Sequence, residues 1–256
     1  MINFIQNSGF SALEQACARL TMDKIAFFFD IDGTLLDIAD HPAGVSSPAG
    51  LVDSLKKLSL KLGGALALVT GRSVASADQI FGYPFTIAGL YGAEIRSSDG
   101  FVQRYEIPAS FKRAKTFLQK VIKPFPALFL EDKGHGVAVH FRCLPSLAPR
   151  VMEIMVEAAD IAGPFYTIQK GKMLLELKLA ALDKGRAVDH FMNGPRFAER
   201  VPICFGDDVG DEAMFARIQQ LGGLAFHIGR LPTCSAALYC LDTPAALRKW
   251  LMDGLI

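Results

Sequence analysis

Two aspartates stand two positions apart, directly behind an apolar run, in Phe27-Phe28-Phe29-Asp30-Ile31-Asp32-Gly33-Thr34-Leu35. Three further short segments carry related chemistry: Thr70-Gly71-Arg72, Asp183-Lys184-Gly185 and Gly206-Asp207-Asp208-Val209-Gly210-Asp211-Glu212. Each alone has an ordinary explanation, because Asp-x-Asp is a common turn or helix cap and Asp-Lys-Gly a common solvated helix start. Together, in this order and at the ends of expected strands, they describe one crevice crowded with Asp side chains. Two carboxylates about 4 Å apart repel by roughly 4 kcal/mol at an effective dielectric near 20. A hard divalent cation relieves that repulsion, and an all-oxygen site with few protein ligands suits magnesium, Mg2+. Opposite such an ion, Lys184 and the Thr70 hydroxyl can hold a dianionic group. Asp30 is then the candidate nucleophile toward phosphorus and Asp32 the candidate general acid, then base. Lys184 and the metal would stabilise the transferring charge.

The elements that must position these residues follow from hydrophobic pattern. Short apolar, β-rich runs at 25–29, 65–69, 86–90, 202–205 and 224–228 alternate with helical patterns, which predicts an α/β fold with a parallel sheet flanked by helices. Between the first two runs, Ser47-Pro48 predicts an N-cap with proline at the first helical position. Leu51, Val52, Leu55, Leu58 and Leu62 then make one apolar face, and Gly63 closes the helix. A second crossover starts at Ser73 and ends by Gly82. Each strand ends where a polar loop begins, and ligands bind at that carboxyl edge in open α/β sheets.

Between 107 and 179 the rhythm changes. A helix over 110–122 precedes a hairpin over 127–142 that turns around Lys133-Gly134-His135-Gly136. A helix over 147–162 precedes a hairpin over 165–179 that turns around Lys170-Gly171-Lys172. This predicts an inserted α+β cap domain over 107–182, interrupting a catalytic core built from 1–106 and 183–256. In the second hairpin Lys172, Leu174, Glu176 and Lys178 alternate with Met173, Leu175, Leu177 and Leu179. His140 and Arg142 likewise oppose Val139 and Phe141. The insert's helices are expected to cover the apolar face and leave the polar face open.

Composition bounds the rest. The chain has 256 residues, 27 Lys+Arg against 26 Asp+Glu, and is 51% hydrophobic, which excludes disorder and argues against nucleic-acid or anionic-membrane binding. No apolar run approaches the roughly 20 residues of a membrane span, and no secretory signal is expected, so the cytoplasm is the expected location. Five cysteines without a C-x-x-C pair disfavour disulfides and zinc. His41, His190 and His227 do not cluster with cysteine. Trp250, Leu247 and Leu251, and Met152 and Met155, are expected in cores. The segment 10–20 reads as an amphipathic helix that packs on the core or meets a partner.

At Asp30-Ile31-Asp32-Gly33-Thr34 the sequence resembles the haloacid dehalogenase (HAD) superfamily of aspartate-nucleophile phosphatases, whose first motif is D-x-D-G-T. The resemblance implies a HAD-like Rossmannoid core, a phosphoaspartate on Asp30, and magnesium held by Asp30, the backbone carbonyl of Asp32, and Asp207. Asp208 and Asp211 would lie beside the ion. Within the superfamily the chain is most similar to the trehalose-6-phosphate phosphatases. That similarity rests on DIDGTLLDIA from Asp30, LVTGRS from Leu68, AGLYGAE from Ala88, LEDKGHGVAVHFR from Leu130, GKMLLELK from Gly171 and DKGRA from Asp183. It covers the chain from about Ile25 onward and leaves 1–24 outside.

Three departures stand out: the family usually has histidine at Tyr91, proline at Leu179 and threonine at Gly210. Glu131, Lys133 and Glu176 are implied as sugar contacts, with His140, Arg142 and Lys172 as possible partners, and Gly71 and Arg72 are also expected to bind substrate. The expected partner is a small sugar phosphate, with no nucleic acid and no membrane. The protein is expected to be a monomer, with trehalose-6-phosphate synthase as its pathway neighbour. Sucrose phosphate or mannosyl-phosphoglycerate is the alternative substrate. A receiver domain leaves the insert and the second carboxylate of Asp30-Ile31-Asp32 unexplained, and a silent sugar-phosphate sensor does not need complete motifs.

Overall fold

The computed structural model describes residues 9–38 and 45–253, so His41 lies outside the described residues. The strands are β1 (Ile25–Phe29), β2 (Leu66–Val69), β3 (Ile87–Gly89), β4 (Glu94–Arg96), β5 (Val102–Arg104), β6 (Phe129–Asp132), β7 (Val137–His140), β8 (Tyr166–Gly171), β9 (Leu174–Leu179), β10 (Val201–Gly206), β11 (Leu224–Ile228) and β12 (Tyr239–Leu241). The helices are α1 (Gly9–Arg19), α2 (Leu51–Lys61), α3 (Val74–Phe81), α4 (Ala109–Ile122), α5 (Ala148–Ala162), α6 (Lys184–Met192), α7 (Glu212–Gln220) and α8 (Pro244–Met252). Two compact units result, Met1–Val102 with Lys184–Ile256, and Gln103–Asp183. No helix among the described residues is long and apolar enough to cross a membrane.

The first unit is built on a sheet of order β12-β11-β10-β1-β2-β3-β4-β5. Strand β1 runs parallel to both β2 and β10, with Phe29 opposite Leu68 on one side and Phe205 on the other. All five β1 residues are buried, because a central parallel strand is covered on both faces; this is why the sequence reads as a continuous apolar run. Phe27 and Phe29 stack with Phe205 at 6.0 and 4.9 Å between ring centroids, and Trp250 of α8 meets Phe27 edge-on at 6.2 Å. Phe28 faces the other way, toward Phe191 of α6 at 6.3 Å and Phe197 at 5.5 Å. Such pairs add about 0.5–1.5 kcal/mol each beyond their burial. Leu247 and Leu251 are buried in this core, His227 is buried and His190 exposed.

Two features differ here from the sequence expectation, the start of one helix and three added strands, while the first helix packs on the core as one of its two expected roles. Helix α2 begins after Gly50, in the left-handed region at φ 82°, with no side-chain cap; Pro48 instead accepts the Leu51 N–H in a turn. The apolar face survives that shift, since Leu51, Leu55, Leu58 and Leu62 are buried. Strands β4, β5 and β12 are additional, and β4 pairs antiparallel with β3. Helix α1 packs on the core through Leu13 and Cys17, and a Cβ on Gly9 would fall 2.1 Å from the Cys240 carbonyl oxygen.

The second unit is an antiparallel sheet, β6-β7-β9-β8. Val137, Val139, Leu175 and Leu177 meet Phe111, Leu118, Val151 and Met155 of α4 and α5, with Met152 packed at the margin. Its first hairpin closes by Lys133 N–H donating to the Gly136 carbonyl at 3.0 Å. The second turns at Lys172 and Met173 rather than around Gly171, which pairs with Leu174 inside the ladder. The positive φ falls on Met173, at 63°.

Candidate active site

Strands β10, β1 and β2 are neighbours, so the loops behind them open side by side at the carboxyl edge. Asp30 extends the ladder by one residue, its N–H donating to the Phe205 carbonyl at 3.0 Å. The chain then reverses, with the N–H groups of Leu35 and Leu36 both donating to the Ile31 carbonyl. Gly33 sits in this turn at φ 81°, and a Cβ there would lie 2.2 Å from Asp207 Oδ2. Conformation and space both require glycine at this position.

Lys184 opens α6 and aims its ammonium between two carboxylates, with Nζ 2.6 Å from Asp30 Oδ1 and 2.6 Å from Asp211 Oδ1. The other Asp211 oxygen accepts the N–H groups of Asp207 at 3.0 Å and Asp208 at 3.1 Å. Asp30, Asp207 and Asp211 each offer an oxygen within 4.8 Å of the others. Burial pushes the Asp30 carboxyl well above its ordinary range; Lys184 pulls it down, and Asp211 and Asp207 push it further up. Burial alone would depress the Lys184 ammonium, but Asp211 and Asp30 more than reverse that and raise it. Three ionised carboxylates against one ammonium would leave two negative charges in a confined all-oxygen cluster. That donor set fits a hard divalent cation.

The carboxylate of Asp32 is taken up elsewhere. Arg72 donates to both its oxygens, Nε to Oδ2 at 2.6 Å and Nη2 to Oδ1 at 2.6 Å. Thr70 is buried, and its Oγ1 accepts the Arg72 N–H at 3.1 Å. Gly71 lies under a tyrosine ring, for a Cβ there would fall 2.8 Å from Tyr91 Oη. Leu90 and Tyr91 both have left-handed backbones, at φ 52° and 58°. Such residues cost of order 1–3 kcal/mol each, and here their N–H groups donate to the Arg72 and Thr70 carbonyls at 2.9 and 3.1 Å. Asp208 caps a short turn through a hydrogen bond from the Gly210 N–H. The structure therefore brings Asp30, Lys184, Asp207 and Asp211 together, pairs Asp32 with Arg72, and turns the Asp208 carboxylate to its own backbone.

In the second unit, Lys133 Nζ lies 2.9 Å from Glu176 Oε2 and His140 Nε2 lies 2.9 Å from Glu131 Oε2. The register places Glu131 opposite Ala138 and Ala138 opposite Glu176, all on the face away from α4 and α5. This face is not a free solvated one, since Glu176 is 2% and Lys178 8% exposed. Lys178 donates to the Leu182 carbonyl. Arg142 and Lys172 lie in turns beyond the strands and are exposed.

Comparison with known proteins decides the family. Residues 28–238 match the family described as trehalose-phosphatase. The chain belongs to the trehalose-phosphatase family. A probable trehalose-phosphate phosphatase of Sinorhizobium fredii is 46% identical over 228 residues, covering 89% of this chain and 86% of that one. The solved C-terminal domain of Candida albicans trehalose-6-phosphate phosphatase superposes with a TM-score of 0.82 over 96% of this chain and 97% of its own, at 19% identity. A HAD-superfamily phosphatase from Bacteroides thetaiotaomicron superposes with a TM-score of 0.60, covering 90% of this chain and 94% of its own, also at 19% identity. At these identities the two structures speak for the fold, which is HAD-like, and membership makes the chain a phosphatase.

Within this trehalose-phosphatase chain the sequence missed two supports. Glu94 Oε2 accepts the Val74 N–H at 2.8 Å, capping the helix behind Arg72. Thr34 Oγ1 donates to Asp30 Oδ2 at 3.5 Å. Thr34 lies in the Asp-x-Asp-Gly-Thr motif itself and Glu94 closes the Ala88–Glu94 segment, where a carboxylate able to cap an orphan helical N–H is the physical signal.

Proposed function

We propose that this chain hydrolyses trehalose 6-phosphate to trehalose and phosphate, with Mg2+ held by Asp30, Asp207 and Asp211 and with Asp30 as nucleophile. The observation that carries the reading is the Lys184 ammonium held by Asp30 and Asp211 beside Asp207, joined to family membership. Bound magnesium supplies the positive charge that the transferring phosphoryl group and the crowded carboxylates require. Lys184 orients Asp30 and, with the Thr70 hydroxyl, binds the phosphate. Asp30 attacks phosphorus, the ester bond breaks, and Asp32 gives its proton to the departing sugar oxygen. Asp32 then takes a proton from the water that attacks the aspartyl phosphate, which releases phosphate and restores Asp30. The two-pronged Arg72 contact is that of the ionised Asp32, the form that takes the proton from water, and it positions that carboxylate for the second step. The polar sheet face of the second unit, with Glu131, Lys133, His140 and Glu176, takes the sugar hydroxyls, which makes that unit the specificity domain.

Phosphate release measured across trehalose 6-phosphate, sucrose phosphate, mannosyl-phosphoglycerate and para-nitrophenyl phosphate, with magnesium and with chelator, tests the reading. Trehalose 6-phosphate is expected to have the highest kcat/KM, and chelator to abolish turnover. Preference for another sugar phosphate would reassign the substrate and keep the chemistry.

A further inference from the structure

The polar strip on the second sheet ends in an aromatic ring to which neither the motifs nor the ion pairs give a task. Phe129 is the first residue of β6, an edge strand, and stands opposite His140 in the register. Alternation along β6 separates two jobs. Leu130 packs toward the core of the unit and Asp132 holds Lys115 at 2.6 Å, while Phe129 and Glu131 share the other face with Ala138, His140, Leu174 and Glu176. Phe129 is 41% exposed, and its ring lies 5.5 Å from the His140 imidazole at 49°. The same imidazole bonds Glu131, so ring, imidazole and carboxylate form one contiguous strip, with Glu176 two strands away.

A pyranose presents two kinds of surface, a rim of hydroxyls and a flat face of C–H groups. The rim needs donors and acceptors, which Glu131, His140, Lys133 and Glu176 offer. The C–H face needs an apolar plane, and ligand sites characteristically set aromatic rings beside a few placed polar groups. Among the described strand residues on this face, Phe129 is the only one with a benzenoid ring. An exposed phenylalanine by itself needs no explanation. One fixed against the histidine of a polar strip, on the face away from the unit's core, matches the missing half of a sugar site.

We infer that Phe129 is a specificity-determining residue whose ring stacks on a sugar ring of the disaccharide phosphate. The inference rests on the proposed use of this face for the sugar. Phe129→Ala is expected to raise KM for trehalose 6-phosphate about tenfold or more with a smaller change in kcat, so that the selectivity for trehalose 6-phosphate over para-nitrophenyl phosphate falls by at least that factor. Phe129→Tyr, which keeps the ring, is expected to restore the selectivity. Trehalose itself, used as an inhibitor of para-nitrophenyl phosphate hydrolysis, is expected to bind the Ala variant correspondingly more weakly. A melting temperature unchanged in the Ala variant accompanies these results, since the side chain lies on an edge strand outside the core. Wild-type protein with no preference for a sugar phosphate would overturn both the reading and this inference. Wild-type preference retained in Phe129→Ala would overturn this inference alone, and a loss in selectivity that Tyr fails to restore would overturn the stacking role.

Discussion

Arg72 grips Asp32 with two hydrogen bonds of 2.6 Å, one to each carboxylate oxygen, across forty positions of sequence. The Arg72 side chain is 11% exposed and that of Asp32 36%, so the fork is anchored on its arginine side and open to solvent on its carboxylate side. A planar guanidinium fixes a carboxylate in a way an ammonium cannot. If Asp32 protonates the departing oxygen, loosening it harms esters with poor leaving groups most. Arg72→Lys is therefore expected to lower kcat roughly ten- to a hundredfold on a sugar phosphate, within the usual worth of general acid catalysis. A smaller loss is expected on para-nitrophenyl phosphate, whose leaving group needs no proton. Equal losses on both substrates would place Arg72 with the phosphate instead of with Asp32.

Asp30→Asn removes the oxygen that attacks phosphorus and keeps a side chain of the same shape. Lys184 retains Asp211 at 2.6 Å, so its buried charge remains paired and the fold is expected to persist. Turnover is expected to fall at least about a thousandfold, or roughly 4 kcal/mol of barrier. Phosphate release within tenfold of wild type would move the nucleophile to another residue.

What the sequence made legible divides along a physical line. The run from Phe27 to Phe29 announced a strand covered on both faces, and Asp30 directly behind it therefore had to stand at the sheet edge. Asp30, Lys184 and Asp211 were named from the sequence, but the shared hold of both carboxylates on the one Lys184 ammonium is a product of the fold. Strands β4, β5 and β12 escaped notice because three residues are too few to show alternation, and their pairing comes from neighbours. Ser47-Pro48 has the chemistry of a helix start, yet Gly50 adopts a left-handed turn and moves the start to Leu51. Alternation correctly assigned Glu176 and Lys178 to the face away from the apolar core. It could not show that both are buried, because alternation reports which side a residue faces and is silent on what covers it.

Magnesium is expected to stabilise the fold, and the sign of its pH dependence follows from Asp30. That carboxyl is raised in the folded protein by burial, with Asp211 and Asp207 adding to the shift against the pull of Lys184. The folded state thus holds the Asp30 proton more tightly than the unfolded chain does. The stability this confers is present below the ordinary carboxylate range near pH 4 and is lost as pH rises through the raised value. Magnesium competes with that proton, so its effect grows with pH. At a hundredfold excess over Kd the ion contributes about 2.7 kcal/mol. Thermal melts with chelator and with magnesium are expected to diverge by about this order as pH is raised above the ordinary carboxylate range. Superimposable melts throughout that rise would remove the cation from this cluster.

The Lys133–Glu176 pair gives the most discriminating substitution, and its burial dictates which one to make. Glu176→Ala would remove a charged partner of Lys133, whose side chain is 11% exposed, and breaking a buried pair by removing one partner costs about 3–5 kcal/mol. A loss of activity in that variant would mix folding with recognition. Glu176→Gln keeps the shape and an acceptor oxygen for Lys133 while removing the charge that a sugar hydroxyl would meet. Binding energy gained on the sugar, remote from phosphorus, orients the ester, so its loss lowers kcat as well as raising KM. Catalytic efficiency on trehalose 6-phosphate is expected to fall tenfold or more, roughly 1.4 kcal/mol, and the loss on para-nitrophenyl phosphate to be several times smaller. Equal losses on the two substrates, with an unchanged melting temperature, would assign Glu176 to the chemistry. Equal losses with a lowered melting temperature would assign it to the fold, and the sugar would then have to be recognised elsewhere.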